Sequence, residues 1–434
     1  MKKLTISVIS LALLLLSDAC TTEYVNPSSG NGEELLKDVN GLVSLANGLQ
    51  YRYTIGRQSP GYTVIVAAGL TGKELRVLNA GNTDELLLEQ GVANVLGNNG
   101  VVSNLWSQLH VTKSDADQVL AGANNLGDPA LKSGLIGYAS IFKALSLGTL
   151  AQFWQQSPIA NGDTAQFRQR TDLLREAIRV LETANTAVTA NPPSAAFTSR
   201  IVAGVDIPNT INALIARYSL MLGDNDKALA AATKASLTVK SEFRFDDLTR
   251  NPIFDVALGN INVVQPANLN MGLPDALKPD AADKRVDFHF LTRTPVAPAP
   301  LRGKGFFTAN SSPIPVYLPG EMLLIKAEAY ARKDDLANAV IELNKVLTKT
   351  TDAWGIGAAL PAYDGTGKTK SEILTEIYRN RCIELFMSGL KLEDNRRFAR
   401  PEPPTNATER SRNFYPYPFV ERDNNPRTPA DPSI

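Results

Sequence analysis

The chain has two histidines, His110 and His289, and two cysteines, Cys20 and Cys382. A nucleophile–base triad or a tetrahedral zinc site needs such residues in numbers and in company, and here they are scattered. Neither a Gly-x-Ser-x-Gly elbow nor a His-Glu-x-x-His helix occurs. Adjacent or near-adjacent acids stand at Asp115/Asp117, Asp246/Asp247, Asp334/Asp335 and Glu393/Asp394. Two carboxylates can cleave a glycoside, but only when they face each other in space, and solvated turns or helix positions explain each pair. Ala362-Tyr-Asp-Gly-Thr-Gly367-Lys368-Thr369 fits a relaxed phosphate-loop pattern. Phosphate binding needs a strand that feeds the loop, whereas Pro361 and a Gly-rich segment precede it. The residues read as a surface loop entering a helix near Ser371. The sequence therefore predicts no catalytic residues, no cofactor and no metal.

Charge narrows the partners further. Lys and Arg number 44 and so do Asp and Glu, without the basic excess of a nucleic-acid binder. Hydrophobic residues at 44% of 434 are enough for a large core.

The first residues form a targeting segment. Lys2 and Lys3 precede the apolar run Leu4–Leu16, then Ser17-Asp18-Ala19-Cys20. A small residue before a cysteine at the end of such a run resembles a bacterial lipoprotein signal. Residues 1–19 are read as the leader and Cys20 as the lipidated N-terminus. Residues 20–33 are polar and rich in turn formers, and read as a tether. Cys382 is then left without an intrachain partner, and its helical position suits a buried, inert thiol.

Helical periodicity organises the remainder, residues 34–434, read as one domain. An Asn31/Glu34 capping box opens the Leu35–Leu49 stripe. Further stripes run over Val102–Leu120, Leu173–Ala184 and Ile211–Leu222, the last with a short partner at Ala228–Ala235. Ser133–Trp154 is apolar enough to raise a membrane span, but Lys143 in its middle favours a buried amphipathic helix. The pair Leu323–Tyr330 and Leu336–Val346 superimposes without gaps on the 211–235 pair. Ala216 falls on Ala327, Ala228 on Ala339 and Ala232 on Leu343. Small residues at a helix crossing are the mark of tetratricopeptide-like hairpins, here separated by long insertions. The expected fold class is all-α, a scaffold of such helix pairs with irregular insertions. Proline density makes 251–319 irregular, and glycine density does the same for 51–100, where Thr63–Val66 is the fair strand candidate. Trp106 and Trp154 are expected in the core and Trp354 in a more exposed loop.

The C-terminal third resembles the SusD/RagB family. Ile314-Pro-Val-Tyr-Leu-Pro-Gly-Glu321 runs into a Glu-x-x-Leu-x-x-Ala327-Glu328-Ala329 helix. Arg381-Cys-Ile-Glu384-Leu385, Gly389-x-Lys391-x-x-Asp394-x-x-Arg397-Phe398 and Asn424-Asn425-Pro426 continue the likeness. Upstream, Leu105-Trp106, Phe153-Trp154, Ser157-Pro158-Ile159 and Asp283-Lys-Arg285 are similar to family landmarks. Asn380, Cys382 and Ser388 depart from the family's charged residues. The resemblance implies a non-catalytic outer-membrane lipoprotein on the cell exterior. It would bind an oligomeric nutrient, glycan before peptide, over a SusC-like TonB-dependent transporter. A helical assembly scaffold without a small ligand, or a carboxylate glycosidase, is the alternative. Recognition should fall to the two irregular zones, where Tyr62, Arg76, Asn79, Arg293, Phe306 and Phe307 can stack or donate hydrogen bonds.

Overall fold

Caps and prolines fix where the helices begin. In the computed structural model, residues 36, 38–162, 164–291 and 301–434 are described. Cys20, the leader, the tether, the Asn31/Glu34 pair and Arg293 lie outside them. Helix α1 (Val39–Thr54) starts where Asp38 accepts the Gly41 N–H at 3.1 Å. Helix α2 (Pro60–Thr71) has Ser59 as its cap and Pro60 in its first turn. It contains Thr63–Val66, so the expected strand is a helix. β-Branched residues disfavour a helix only slightly, and burial around almost all of α2 outweighs that preference. With α3 (Thr83–Gln90) in the same stretch, zone 51–100 is largely helical and only partly loop.

Helix α4 (Gly100–Ala123) and helix α5 (Pro129–Phe153) pack together. The apolar window of α5 is 89% buried inside the protein, so α5 is a core helix, as its lysine suggested. Lys143 donates to Asp117 Oδ1 at 2.6 Å. At Gly148 a Cβ would lie 2.1 Å from the Tyr218 ring, and the missing side chain lets α5 meet α8 (Ile207–Leu222) closely. Helix α6 (Arg170–Ala190) lies against both α5 and α8, and the short α7 (Ala195–Thr198) touches α5.

The expected hairpins are both present. Helix α8 pairs with α9 (Asn225–Lys234), and α11 (Pro319–Arg332) pairs with α12 (Leu336–Thr348). Ala216, Ala228, Ala232, Ala327, Ala339 and Leu343 are all at most 2% exposed, as crossing residues must be. The short α10 (Lys284–His289) lies between the two hairpins in the chain, and α9 packs on α11 to join them. Arg217 of α8 reinforces the join with two bonds to Glu321 of α11, at 2.6 and 2.7 Å.

Helix α13 (Lys370–Glu384) lies against α11, followed by α14 (Lys391–Arg397). Thr369 and Glu372 form a capping box at the start of α13. The phosphate-loop-like segment is therefore a turn that caps a helix, as its proline suggested. Arg285 is fully buried and bonded to Asp283, Asn380 and Glu384. Asn380 thus serves this cluster by hydrogen bonding where the family pattern carries charge. The C-terminal segment, ending in α15 (Phe419–Asn424), lies over the core. Trp154 Nε1 donates to Pro416 O at 3.0 Å, and the Trp106 and Trp154 rings meet at 4.9 Å.

Among the described residues, strands are short and occur as three antiparallel pairs. Strand β1 (Leu75–Val77) pairs with β5 (Val264–Pro266), in the register Arg76 to Gln265. Strands β2 (Gln156–Pro158) and β3 (Phe167–Gln169) form the second pair, β4 (Glu242–Phe243) and β6 (Ile314–Pro315) the third. The first pair stitches the two insertion zones together. A six-residue π-helical turn, Ile253–Leu258, precedes β5.

Candidate functional site

A polar cleft opens where β1 runs out into a turn. Leu78 N–H still bonds Val263 O, and Asn79 then folds the chain back. Asn79 Oδ1 accepts the Gly81 N–H at 2.9 Å, and its carbonyl accepts the Asn82 N–H. This Asx turn presents Asn82 at the entrance to α3.

Three elements build the cleft. The loop after α1 gives Arg57 and Gln58, the turn before and the first turn of α3 give Asn82, Thr83, Asp84 and Glu85, and α4 gives Gly100 and Asn104. Its volume is about 460 Å³. Asn99 caps α4 through Val101 and Val102 N–H, and its amide donates to Asp84 O at 2.9 Å. A Cβ on Gly100 would sit 2.4 Å from Asp84 Oδ2, so the carboxylate rests against the first turn of α4.

Arg57 is the organising side chain. Its Nη2 donates to Glu85 Oε1 at 2.6 Å and to Asn82 Oδ1 at 3.0 Å. Glu85 is almost fully buried, and Tyr62 OH donates to the same oxygen at 3.3 Å. Burial, and after it the Glu85 charge, raises the Tyr62 phenol well above its ordinary range, so the hydroxyl stays a donor. Among the described residues, Arg57 Nη1 has no protein partner. The cleft therefore offers guanidinium donors, side-chain amides and the carboxylates of Asp84 and Glu85, the latter held by Arg57, on fixed backbone. This mixture suits a neutral, polyhydroxylated ligand, whose hydroxyls both donate and accept.

The sequence-predicted site residues separate into two groups. Asn79 is exposed and shapes the cleft from its turn, and Arg76 is exposed on β1 two residues before the turn begins. Tyr62 is 0% exposed and supports Glu85 from beneath, so it cannot stack on a ligand. Its ring belongs to α2, in the zone the sequence marks as irregular with a strand candidate at Thr63–Val66. Phe307 is 5% exposed and also belongs to the core. Phe306 is half-buried, with Trp354 at 5.6 Å and Phe288 at 5.1 Å. Phe306 and Phe307 line a separate, small cavity of about 80 Å³ that includes Ile65 and Met387. Arg57, Gln58, Asn82, Asp84 and Asn104 were not predicted. The Asn79-Ala-Gly-Asn82 run of turn formers was the available signal for Asn82. Nothing local marks Arg57, whose partner lies on the next helix but one.

Other reactive side chains are structural. His110 is half-buried and His289 buried, and desolvation holds both imidazoles below their ordinary range, His289 to about 3. Burial pushes the Cys382 thiol up, as an inert cysteine requires. Among the described residues no cluster of three metal-ligating side chains occurs.

No family profile and no curated protein matches this sequence. Solved structures do match it over nearly their whole length. A SusD-like carbohydrate binding protein from Bacteroides fragilis is 14% identical, with a TM-score of 0.71, and the alignment covers 91% of this chain and 100% of that one. A SusD homolog from Bacteroides thetaiotaomicron is 13% identical at a TM-score of 0.69, over 93% and 99%. A SusD/RagB family protein from the same species is 16% identical at 0.61, over 92% and 95%. The helix pairs, the insertions between them and the buried Asp283–Arg285 corner therefore lie in a chain that has the SusD-like fold.

Proposed function

We propose that this chain is a SusD/RagB-type nutrient-binding protein that captures a glycan without transforming it. The observation that carries the reading is the polar cleft of Arg57, Asn82, Asp84 and Asn104, set in a fold whose solved examples include proteins described as carbohydrate binding. Fixed amides and a guanidinium complement sugar hydroxyls. Because Arg57 is already held by Glu85 and Asn82, little side-chain entropy is lost when it binds.

The lipoprotein-like segment ending at Cys20 supports attachment to the outer membrane, with the body facing the exterior. A SusC-like TonB-dependent transporter would receive the ligand. A single acyl chain holds a protein only weakly, so the anchor needs the several chains of a bacterial lipoprotein.

Calorimetric titration of a panel of oligosaccharides and peptides into the purified chain tests the capture step. Binding of an oligosaccharide that Asn82→Ala or Asn104→Ala weakens would support the reading. Turnover of the bound glycan would make the protein an enzyme. Binding of peptides alone would replace the glycan, and no binding at all would return the assembly scaffold to first place.

A further inference from the structure

A second cavity, of about 430 Å³, lies between α11, α13 and the end of α14, none of which contributes to the polar cleft. Four cationic residues line it, Arg332, Lys370, Arg397 and Arg400, and no Asp or Glu is among its lining residues. The carboxylates that neutralise these cations stand behind the wall. Glu328 accepts from Arg332 at 2.8 Å and from Arg397 at 2.7 and 2.9 Å. Asp394 is shared by Arg381 and Arg397. Three arginines thus share two buried carboxylates, which leaves one positive charge over in that network. Arg400 is paired with Glu409, and Lys370 with Asp334, whose side chain is largely exposed.

One donor shows the surplus directly. The Arg397 side chain is 9% exposed, and its Nη1 is buried without a hydrogen-bond partner among the described residues. A buried orphan donor is costly and rare in native proteins. Arg332 Nη1 and Arg400 Nη1 likewise have no partner among the described residues. Beside these donors the wall is apolar. The guanidinium carbons of Arg332 and Arg397 each stand 5.3 Å from the centre of the Phe398 ring, and Leu374 lines the same space. The volume falls in the range of about 300–1,000 Å³ usual for small-ligand pockets.

We propose that this cavity binds a small molecule bearing an oxyanion, a carboxylate or a phosphate, with its apolar face against Phe398 and Leu374. The part-exposed guanidinium groups of Arg332 and Arg400 take the oxyanion by charge-assisted hydrogen bonds, the buried Arg397 charge attracts it from behind them, and the position of Lys370 at the rim draws the anion inward. The site is independent of the polar cleft, so either can exist without the other.

The test titrates the purified full chain with glucuronate, with glucose as its neutral counterpart, and with inorganic phosphate. The expected result is saturable binding of glucuronate, phosphate or both, weakened by salt, and none of glucose in this cavity. Glucuronate alone would identify a carboxylate ligand, and phosphate alone a phosphate ligand. Ser371→Glu places a carboxylate at the rim, in the first turn of α13 where acid is tolerated, and should weaken binding about tenfold or more without lowering the melting temperature. Lys370→Gln should weaken it less. Asn82→Ala, in the other cleft, should leave it unchanged. Absence of saturable binding by both anions up to about 10 mM would overturn the proposal. Equal binding by Ser371→Glu and the parent chain would also overturn it.

Discussion

Arg57 and Glu85 meet across the gap between the loop after α1 and the first turn of α3, with Nε and Nη2 at 3.1 and 2.6 Å from one carboxylate oxygen. The Glu85 side chain is 2% exposed and that of Arg57 44%. The buried acid needs the arginine more than the arginine needs the acid, because water can solvate a half-exposed guanidinium. The pair holds the cleft open at one edge and stiffens the residue most exposed to a ligand.

Arg57→Ala should therefore damage stability as well as binding. Among the described residues it leaves Glu85 with Tyr62 alone as a side-chain donor, and a loss of about 1–3 kcal/mol is expected. Urea unfolding of the variant measures it. Arg57→Ala combined with Glu85→Gln should recover part of the loss, since the uncompensated charge is then gone. If the double variant is no more stable than the single one, the pair is not what stabilises this edge.

Glu74 makes stability depend on pH. Burial is the dominant cause that raises its carboxyl from 4.5 to about 8, and nearby Lys391 opposes the shift only in part. The folded form therefore holds a proton that the unfolded chain has released at intermediate pH. Stability from this group is fully present below the unfolded value and falls as pH rises towards about 8, by at most about 1.4 kcal/mol per pH unit. Melting curves across that window should show the decline, and Glu74→Gln should flatten it. An unchanged slope in the variant would assign the decline to other groups.

The hairpin of α11 and α12 has no room for a larger residue at its crossing. Ala339 and Ala327 are both 0% exposed and belong to the same small cluster. Ala339→Leu should overpack the crossing and cost about 1–3 kcal/mol. An unshifted melting temperature would mean that the two helices do not meet there.

The proposed membrane attachment would rest on Cys20, the cysteine that follows the apolar run Leu4–Leu16. Cys20→Ser should move the protein from the membrane fraction to the soluble one in fractionated cells. Retention in the membrane fraction would point to a different anchor.

What could be read from the sequence follows from what is local. The alignment of Ala216 on Ala327 and Ala228 on Ala339 was legible because crossing helices impose small residues at fixed spacing. The buried α5 was legible because Lys143 sat inside an apolar run. Helix α2 was misread because Thr63–Val66 looks like a strand when Ser59-Pro60 is not weighed as a cap and first turn. The same reading leaves Tyr62 in an irregular zone, and so among ligand contacts. The cleft was only half legible, since Asn79 and Asn82 announce a turn while Arg57 becomes meaningful only when α3 folds back beside it. Phe306 and Phe307 were grouped by sequence neighbourhood, whereas their rings serve the core and its aromatic border.

The central claim is that the cleft captures a glycan, and the most direct measurement is calorimetric binding of a glycan ligand to the parent chain and to Asn82→Ala. Asn82 is part-exposed and its side-chain oxygen accepts from Arg57, so its removal disturbs the cleft more than the core. The account predicts saturable binding by the parent chain and about tenfold weaker binding by the variant at an unchanged melting temperature. Equal affinity in the two proteins would contradict it and place recognition elsewhere.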